Sequence, residues 1–162
     1  MKIFNTLKST LPAAALACLA LGIAPTSAFA STTATASMAV SASVQATCIV
    51  SATAMAFGNY VSTAASTSTS SVSVTCTNST PYTLGLDAGL TGTVTARQMK
   101  NGAAVLNYGL FTNATWTTNF ATLASVNGTG SAVVTQVYGQ IPAGQYVTPG
   151  TFTDTITATV TY

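Results

Sequence analysis

Residues 72–86 read VSVTCTNSTPYTLGL, and the fold class follows from them. Val72, Val74 and Cys76 alternate with Ser73 and Thr75, and Tyr82, Leu84 and Leu86 alternate with Thr83 and Gly85. Successive side chains of a strand point to opposite faces, so each run predicts a half-buried strand. Between them Asn78 to Pro81 supplies turn chemistry, because Pro fixes φ and Asn accepts local backbone hydrogen bonds. Further along, Leu106 to Phe111 is more continuously apolar and predicts a more fully buried strand. Val133 to Gly139 alternates again, as Val133, Thr135 and Val137 against Val134, Gln136 and Tyr138. At the C-terminal end Phe152, Ile156, Ala158, Val160 and Tyr162 share one face, and Thr151, Thr153, Thr155, Thr157, Thr159 and Thr161 the other, which predicts one long last strand. Asn101-Gly102, Asn127-Gly128 and Pro149-Gly150 mark further turns. The run Ser62 to Ser71, almost wholly Ser, Thr and Ala, has little to bury and reads as a surface loop. No segment carries helical periodicity, so the reading is an all-β sandwich of immunoglobulin-like size, in one domain.

The first thirty residues stand apart from this pattern. Lys2 and Lys8 precede an apolar stretch from Leu11 to Ile23, and Ala28-Phe29-Ala30 has the small-x-small form of a processing site, so residues 1–30 read as an export signal and the mature chain as Ser31 to Tyr162. The alternative, a lipoprotein processed at Cys18, has Ala15 where a lipobox carries a large aliphatic residue. Four Lys and Arg face two Asp and Glu in the full chain. With Lys2 and Lys8 removed, Arg97 and Lys100 balance Asp87 and Asp154, and no basic stripe is left for nucleic acid or an anionic membrane. A near-neutral surface of Thr, Ser, Ala and Asn is poorly protected against association and suits a protein that assembles. Cys48 and Cys76 remain as an isolated pair in an oxidising compartment and are expected to form a disulfide. A structural metal site is excluded, since the chain has no His, no Glu and no Cys-x-x-Cys unit.

The same scarcity argues against an enzyme. A Ser or Thr nucleophile needs a base within hydrogen-bond reach, and only Asp87, Asp154 and Lys100 are available. Asp154 falls in phase with the apolar face of the last strand, where its expected role is to accept backbone N–H groups near Pro149-Gly150. Tyr60, Tyr108, Trp116, Tyr138 and Tyr146 read either as core and edge packing or as a sugar-stacking platform, and packing is the commoner use in a β domain. No cofactor and no small-molecule substrate is expected.

Residues 31–44 form the most unusual segment. Ala34, Ala36, Met38, Val40, Ala42 and Val44 alternate with Thr33, Thr35, Ser37, Ala39, Ser41 and Ser43. Periodicity leaves two readings open, the first strand of this domain or a strand meant for another molecule's sheet. Several short motifs bear on the choice: Val40 to Cys48, Phe57-Gly58-Asn59-Tyr60, residues 72–76, Thr80 to Leu84, Arg97-Gln98-Met99, Leu106 to Phe111, Tyr138 to Gln145 and Pro149 to Thr155. In their order and spacing the mature chain resembles the spore coat U domain family, which includes subunits of archaic, Csu-type chaperone–usher pili. That resemblance implies an incomplete immunoglobulin-like sandwich, lacking one strand and completed by donor-strand exchange. It implies a division into residues 31–44 as donor segment and 45–162 as the body, with Ala34, Ala36, Met38, Val40 and Ala42 on the inward face of the donor strand. It also implies partners, namely identical or related pilin subunits, a periplasmic chaperone and an outer-membrane usher, and a destination on the bacterial surface in adhesion and biofilm formation. A stalk subunit fits better than a two-domain tip.

Two other functions compete with a structural pilin. A secreted carbohydrate-binding module would keep residues 34–42 in its own sheet, whereas a pilin needs them in trans. A spore coat component needs neither usher nor donated strand.

Overall fold

The computed structural model describes residues 30–162, so the export-signal reading of residues 1–30 lies outside the described residues except at Ala30. The chain divides into two units, Met1–Ser41 and Ala42–Tyr162. In the described part of the first unit, residues 30–41, every residue is exposed and none is in a strand.

The second unit holds nine strands and, among the described residues, no helix. They are β1 (Cys48–Ala52), β2 (Ser66–Cys76), β3 (Pro81–Leu86), β4 (Gly92–Thr93), β5 (Ala96–Asn101), β6 (Ala104–Phe111), β7 (Val126–Asn127), β8 (Val133–Ile141) and β9 (Ala158–Thr161). Antiparallel pairing gives a six-stranded sheet in the order β1-β2-β8-β6-β5-β4 and a three-stranded sheet in the order β7-β3-β9. One buried cluster takes side chains from both: Val72, Val74 and Cys76 from β2, Tyr82, Leu84 and Leu86 from β3, Leu106, Tyr108 and Leu110 from β6, Val137 and Ile141 from β8. Phe120, from the segment after β6, is wholly enclosed at 0 % exposure. The period-2 patterns read at 72–76, 82–86 and 133–139 therefore face the way their alternation predicts, and β6 is the most continuously buried strand. Cys48 and Cys76 stand opposite each other in the β1–β2 register and are bonded.

Two expectations are corrected. The Ser/Thr run is not a loop throughout, because Ser66 to Ser71 forms the first half of β2 and pairs with Gln136 to Ile141 of β8. A ladder is made of main-chain bonds, so a strand needs apolar side chains only where its face meets a core. The predicted long last strand is regular only over Ala158–Thr161, paired with β3. Before it, Thr153 makes a single bridge to Lys100 of β5, and Thr157 bonds the main chain of Asp87. The chain passes from one sheet toward the other over these residues and cannot keep one continuous ladder. Its alternation survives as far as Val160, with Phe152, Ile156, Ala158 and Val160 half-buried and the threonines exposed, while Tyr162, expected on the same apolar face, is exposed.

Candidate functional site

The half-burial of that face has a cause in the second unit. An open groove of about 420 Å³ runs between Ala52 to Phe57 on one side and Phe152 to Ala158 on the other. Its floor is core: Val72, Val137, Leu110 and Tyr108. At Met55, Phe57, Met99 and Phe152 it joins a wider recess of about 880 Å³ that continues past Tyr60 and Tyr146. Ile156, Phe152, Met55 and Phe57 pack against the buried cluster without being covered by it.

The walls are built differently. On the C-terminal wall, Thr153 exchanges two main-chain bonds with Lys100, and Thr157 accepts from the Asp87 N–H. The N–H groups of Thr155 and Thr157 are taken by Asp154 Oδ1 and Asp87 Oδ1, at 2.8 and 2.9 Å. Main-chain groups alternate sides along an extended chain. Those of Asp154 and Ile156 accordingly point the other way, and have no partner among the described residues. On the opposite wall, the β1–β2 ladder runs to Ala52 and closes with the Thr53 N–H donating to Ser71 O, 2.9 Å. Beyond it, serine hydroxyls of β2 take over: Ser70 donates to Thr53 O, Ser68 to Ala56 O at 2.7 Å and Ser66 to Phe57 O at 3.1 Å. Met55 and Phe57 pack against β8 at Gly139, where a Cβ would meet both side chains. Phe57 also meets Tyr108 edge to face, with ring centroids 6.1 Å apart.

A polar cluster anchors the C-terminal wall. Arg97 is 0 % exposed, and its hydrogen bonds all end on main-chain carbonyls: Nε donates to Asp87, Nη1 to Val94, and Nη2 to Leu86 and Phe120, at 2.7–3.1 Å. Burial pushes its pKa down, while Tyr108, Asp87 and Asp154 oppose the shift. Asp154 accepts from the Leu90 N–H, 2.8 Å, and from the Tyr108 hydroxyl, 2.6 Å. Burial, with the carboxylate of Asp154 beside it, pushes the Tyr108 hydroxyl well above its ordinary pKa. Burial also raises the Asp87 carboxyl, but N–H donors from Thr157 and Gly89 and the charge of Arg97 outweigh it and hold the group below its ordinary 3.8. Asp154 therefore does serve backbone donors, though at Leu90 and Thr155 rather than near Pro149-Gly150. The two carboxylates, distant in sequence, are brought to one wall and tie it to the Leu86–Leu90 loop.

Of the residues singled out from sequence, Cys48 and Cys76 are joined, and Ala34, Ala36, Met38, Val40 and Ala42 are exposed, Met38 by 85 % and Val40 by 84 %. Among the aromatics Tyr108 is core, Tyr60 bonds Pro142 O through its hydroxyl, and Tyr146 stands exposed. Sequence reading missed Arg97 as a core residue and Ser66, Ser68 and Ser70 as wall contacts. The one signal for the serines was their alternation with Thr67 and Thr69 in phase with Val72 and Val74.

Comparisons with known proteins agree on this domain. Residues 34–159 match the Spore Coat Protein U domain. Over 106 residues the chain is 39 % identical to Protein U of Myxococcus xanthus, a match covering 58 % of this chain and 59 % of that protein. The chain thus spans well under two thirds of that relative's length. A solved structure shares the fold at 23 % identity and a TM-score of 0.55, over 74 % of this chain and 40 % of the other. It is the CsuC–CsuE chaperone–tip adhesion subunit pre-assembly complex of archaic chaperone–usher Csu pili from Acinetobacter baumannii.

Proposed function

The chain belongs to the spore coat protein U domain family, and from that membership we propose that it is a structural subunit of a chaperone–usher surface pilus. Residues 31–44 of one copy lie as a strand in the groove of the next. The observation that carries this reading is the groove: it is open, floored by core side chains, and edged by the main-chain groups of Asp154 and Ile156, which have no partner among the described residues. A strand laid there gains ladder bonds from the wall and burial for every second side chain, which is the physics of β-strand addition. Ala34, Ala36, Met38, Val40 and Ala42 supply an alternating set of mostly small apolar groups, each contributing about 1 kcal/mol at ~25 cal/mol per Å². An open groove is an aggregation hazard in a free subunit, so a periplasmic chaperone covers it before assembly at an outer-membrane usher. Export, a near-neutral surface and a body clamped by one disulfide all suit a filament used in adhesion and biofilm formation.

Placing a charge on one face or the other tests the reading. Met38→Asp or Val40→Asp puts a carboxylate without a partner in the groove, at a cost of several kcal/mol that exceeds one site's apolar gain. Both are expected to abolish fibres seen by electron microscopy while the subunit still co-purifies with its chaperone. Thr35→Asp and Ser37→Asp, on the outward face, are expected to assemble. Equal loss from both faces, or assembly of chains lacking residues 31–42, overturns strand donation.

The match of residues 34–159 to the Spore Coat Protein U domain favours a second reading, a spore coat building block. A coat component needs no usher and no donated strand, so assembly of the chain in cells lacking an usher decides for it.

A further inference from the structure

The serine side chains under the groove's N-terminal wall do something that the strand pattern alone does not require. Along β1 the wall segment is held to β2 by a main-chain ladder, which stops at the bond from Thr53 N–H to Ser71 O. From there to Phe57 every hydrogen bond that β2 gives to a wall carbonyl comes from a side-chain hydroxyl: Ser70 to Thr53, Ser68 to Ala56, Ser66 to Phe57. These three serines share the parity of Val72, Val74 and Cys76, so they rise from the inward face of β2. A segment bonded to hydroxyls on a face lies over the sheet, not beside it. That displacement puts Met55 and Phe57 against Gly139 and sets the wall across the gap from Phe152 to Ala158. Of the wall's main-chain groups, these hydroxyls reach carbonyls only, and Ser70 also bonds the Thr53 hydroxyl, 3.0 Å. The N–H groups of Ala54, Met55, Ala56 and Phe57 have no acceptor among the described residues.

We infer that Ser66, Ser68 and Ser70 are positioning residues for the groove: a comb of hydroxyls that lifts the wall segment 54–57 off the edge of β2 and leaves those of its N–H groups that face the groove for an incoming strand. A plain ladder in its place would return the segment to the sheet edge, narrow the groove and consume those groups. Bare apolar side chains would leave three carbonyls without donors on the way across. Serine is the residue that fits, because its hydroxyl reaches one carbonyl and its small side chain leaves room for the backbone above. The structural part of this inference stands on the hydrogen bonds alone, and its use in strand capture rests on the function proposed above.

The test uses the full chain, exported and purified, with a methyl-labelled Met55 and a synthetic peptide of residues 31–44 as the probe. In the native sequence a nuclear Overhauser signal joins the Met55 methyl and Gly139, and the peptide binds. The triple variant Ser66→Ala, Ser68→Ala, Ser70→Ala is expected to show no such signal and to bind the peptide about tenfold or more weakly, since each hydroxyl–carbonyl bond counts for roughly a factor of five. Ser73→Ala, on the outward face, is the control for composition and is expected to retain both. Single Ser68→Ala and Ser66→Ala variants serve if the triple variant does not fold, with a smaller effect of the same sign. Persistence of the Met55–Gly139 signal at native intensity in the alanine variants overturns the comb. Failure of the native chain to bind the peptide, while the alanine variants lack the Met55–Gly139 signal as expected, overturns strand acceptance and leaves the comb as a wall-placing device.

Discussion

Arg97 is the residue whose sequence reading and structural role differ most. Counted as a charge it balances an aspartate, yet in the fold its guanidinium is enclosed and spent on four carbonyls. Arginine tolerates this because its planar fork offers five donors in fixed directions, so one side chain can satisfy a strand end, a turn and two loop carbonyls at once. Asp87 works beside it, accepting from the N–H groups of Gly89 and Thr157. Its carboxyl is held below 3.8, so the folded state favours the ionised form more than the unfolded chain does. The stability this contributes is fully present above the ordinary value and is lost as pH falls through the lower folded value. Urea midpoints of the native chain and of Asp87→Asn, taken from about pH 6 to about pH 3, are expected to converge as the acid end is approached. Parallel curves would show that the carboxylate's ionisation is not coupled to folding. Asp87 is exposed, so the effect is small and screened by salt.

Among the strands, β8 carries both sheet order and groove shape. It pairs with β2 along one edge and with β6 along the other, and it presents Val137 and Ile141 to the core. At Gly139 it presents no side chain, which gives Met55 and Phe57 their seat. A methyl there meets the far ends of two side chains rather than backbone, so the wall can yield. Gly139→Ala is expected to cost about 1–3 kcal/mol by overpacking and to move the wall segment. Chemical denaturation reads the first, and the ring shift of the Tyr108 protons beside Phe57 reads the second. A variant as stable as the native chain with those shifts unchanged would mean that Met55 and Phe57 do not need the space.

Across the molecule as a whole, the disulfide bears a larger share of stability than it would in a closed sandwich. A groove lined with core side chains leaves apolar area uncovered, and β1, at the edge of its sheet, has a ladder on one side only. The bond between Cys48 and Cys76, 28 residues apart, ties that edge strand to β2. Loss of the cross-link is expected to cost on the order of 3 to 4 kcal/mol by the chain-entropy argument. Cys48→Ser should therefore lower the periplasmic yield of subunit and its melting temperature. Equal yield and an equal melting curve would show that β1 holds its place by pairing alone.

The all-β class, the faces of the main strands, the pairing of the two cysteines and the family were legible in the residues. Each follows from a local or countable property: period-2 alternation in 72–86 and 133–139, turn residues between runs, an even cysteine number, and motif order. The N-terminal alternation at 34–42 was legible in the same way, but alternation says only that a segment can be a strand, never whose. Packing was needed to set where the walls of the groove run, to send Arg97 inside, and to make Ser66 to Ser71 a strand. Those outcomes depend on which carbonyls are left without donors once the sheets are packed. That is a property of the assembled backbone, which no stretch of side chains spells out. A run of serines looks like a loop until a neighbouring segment needs its hydroxyls, and a lone arginine looks like surface until four carbonyls converge on it.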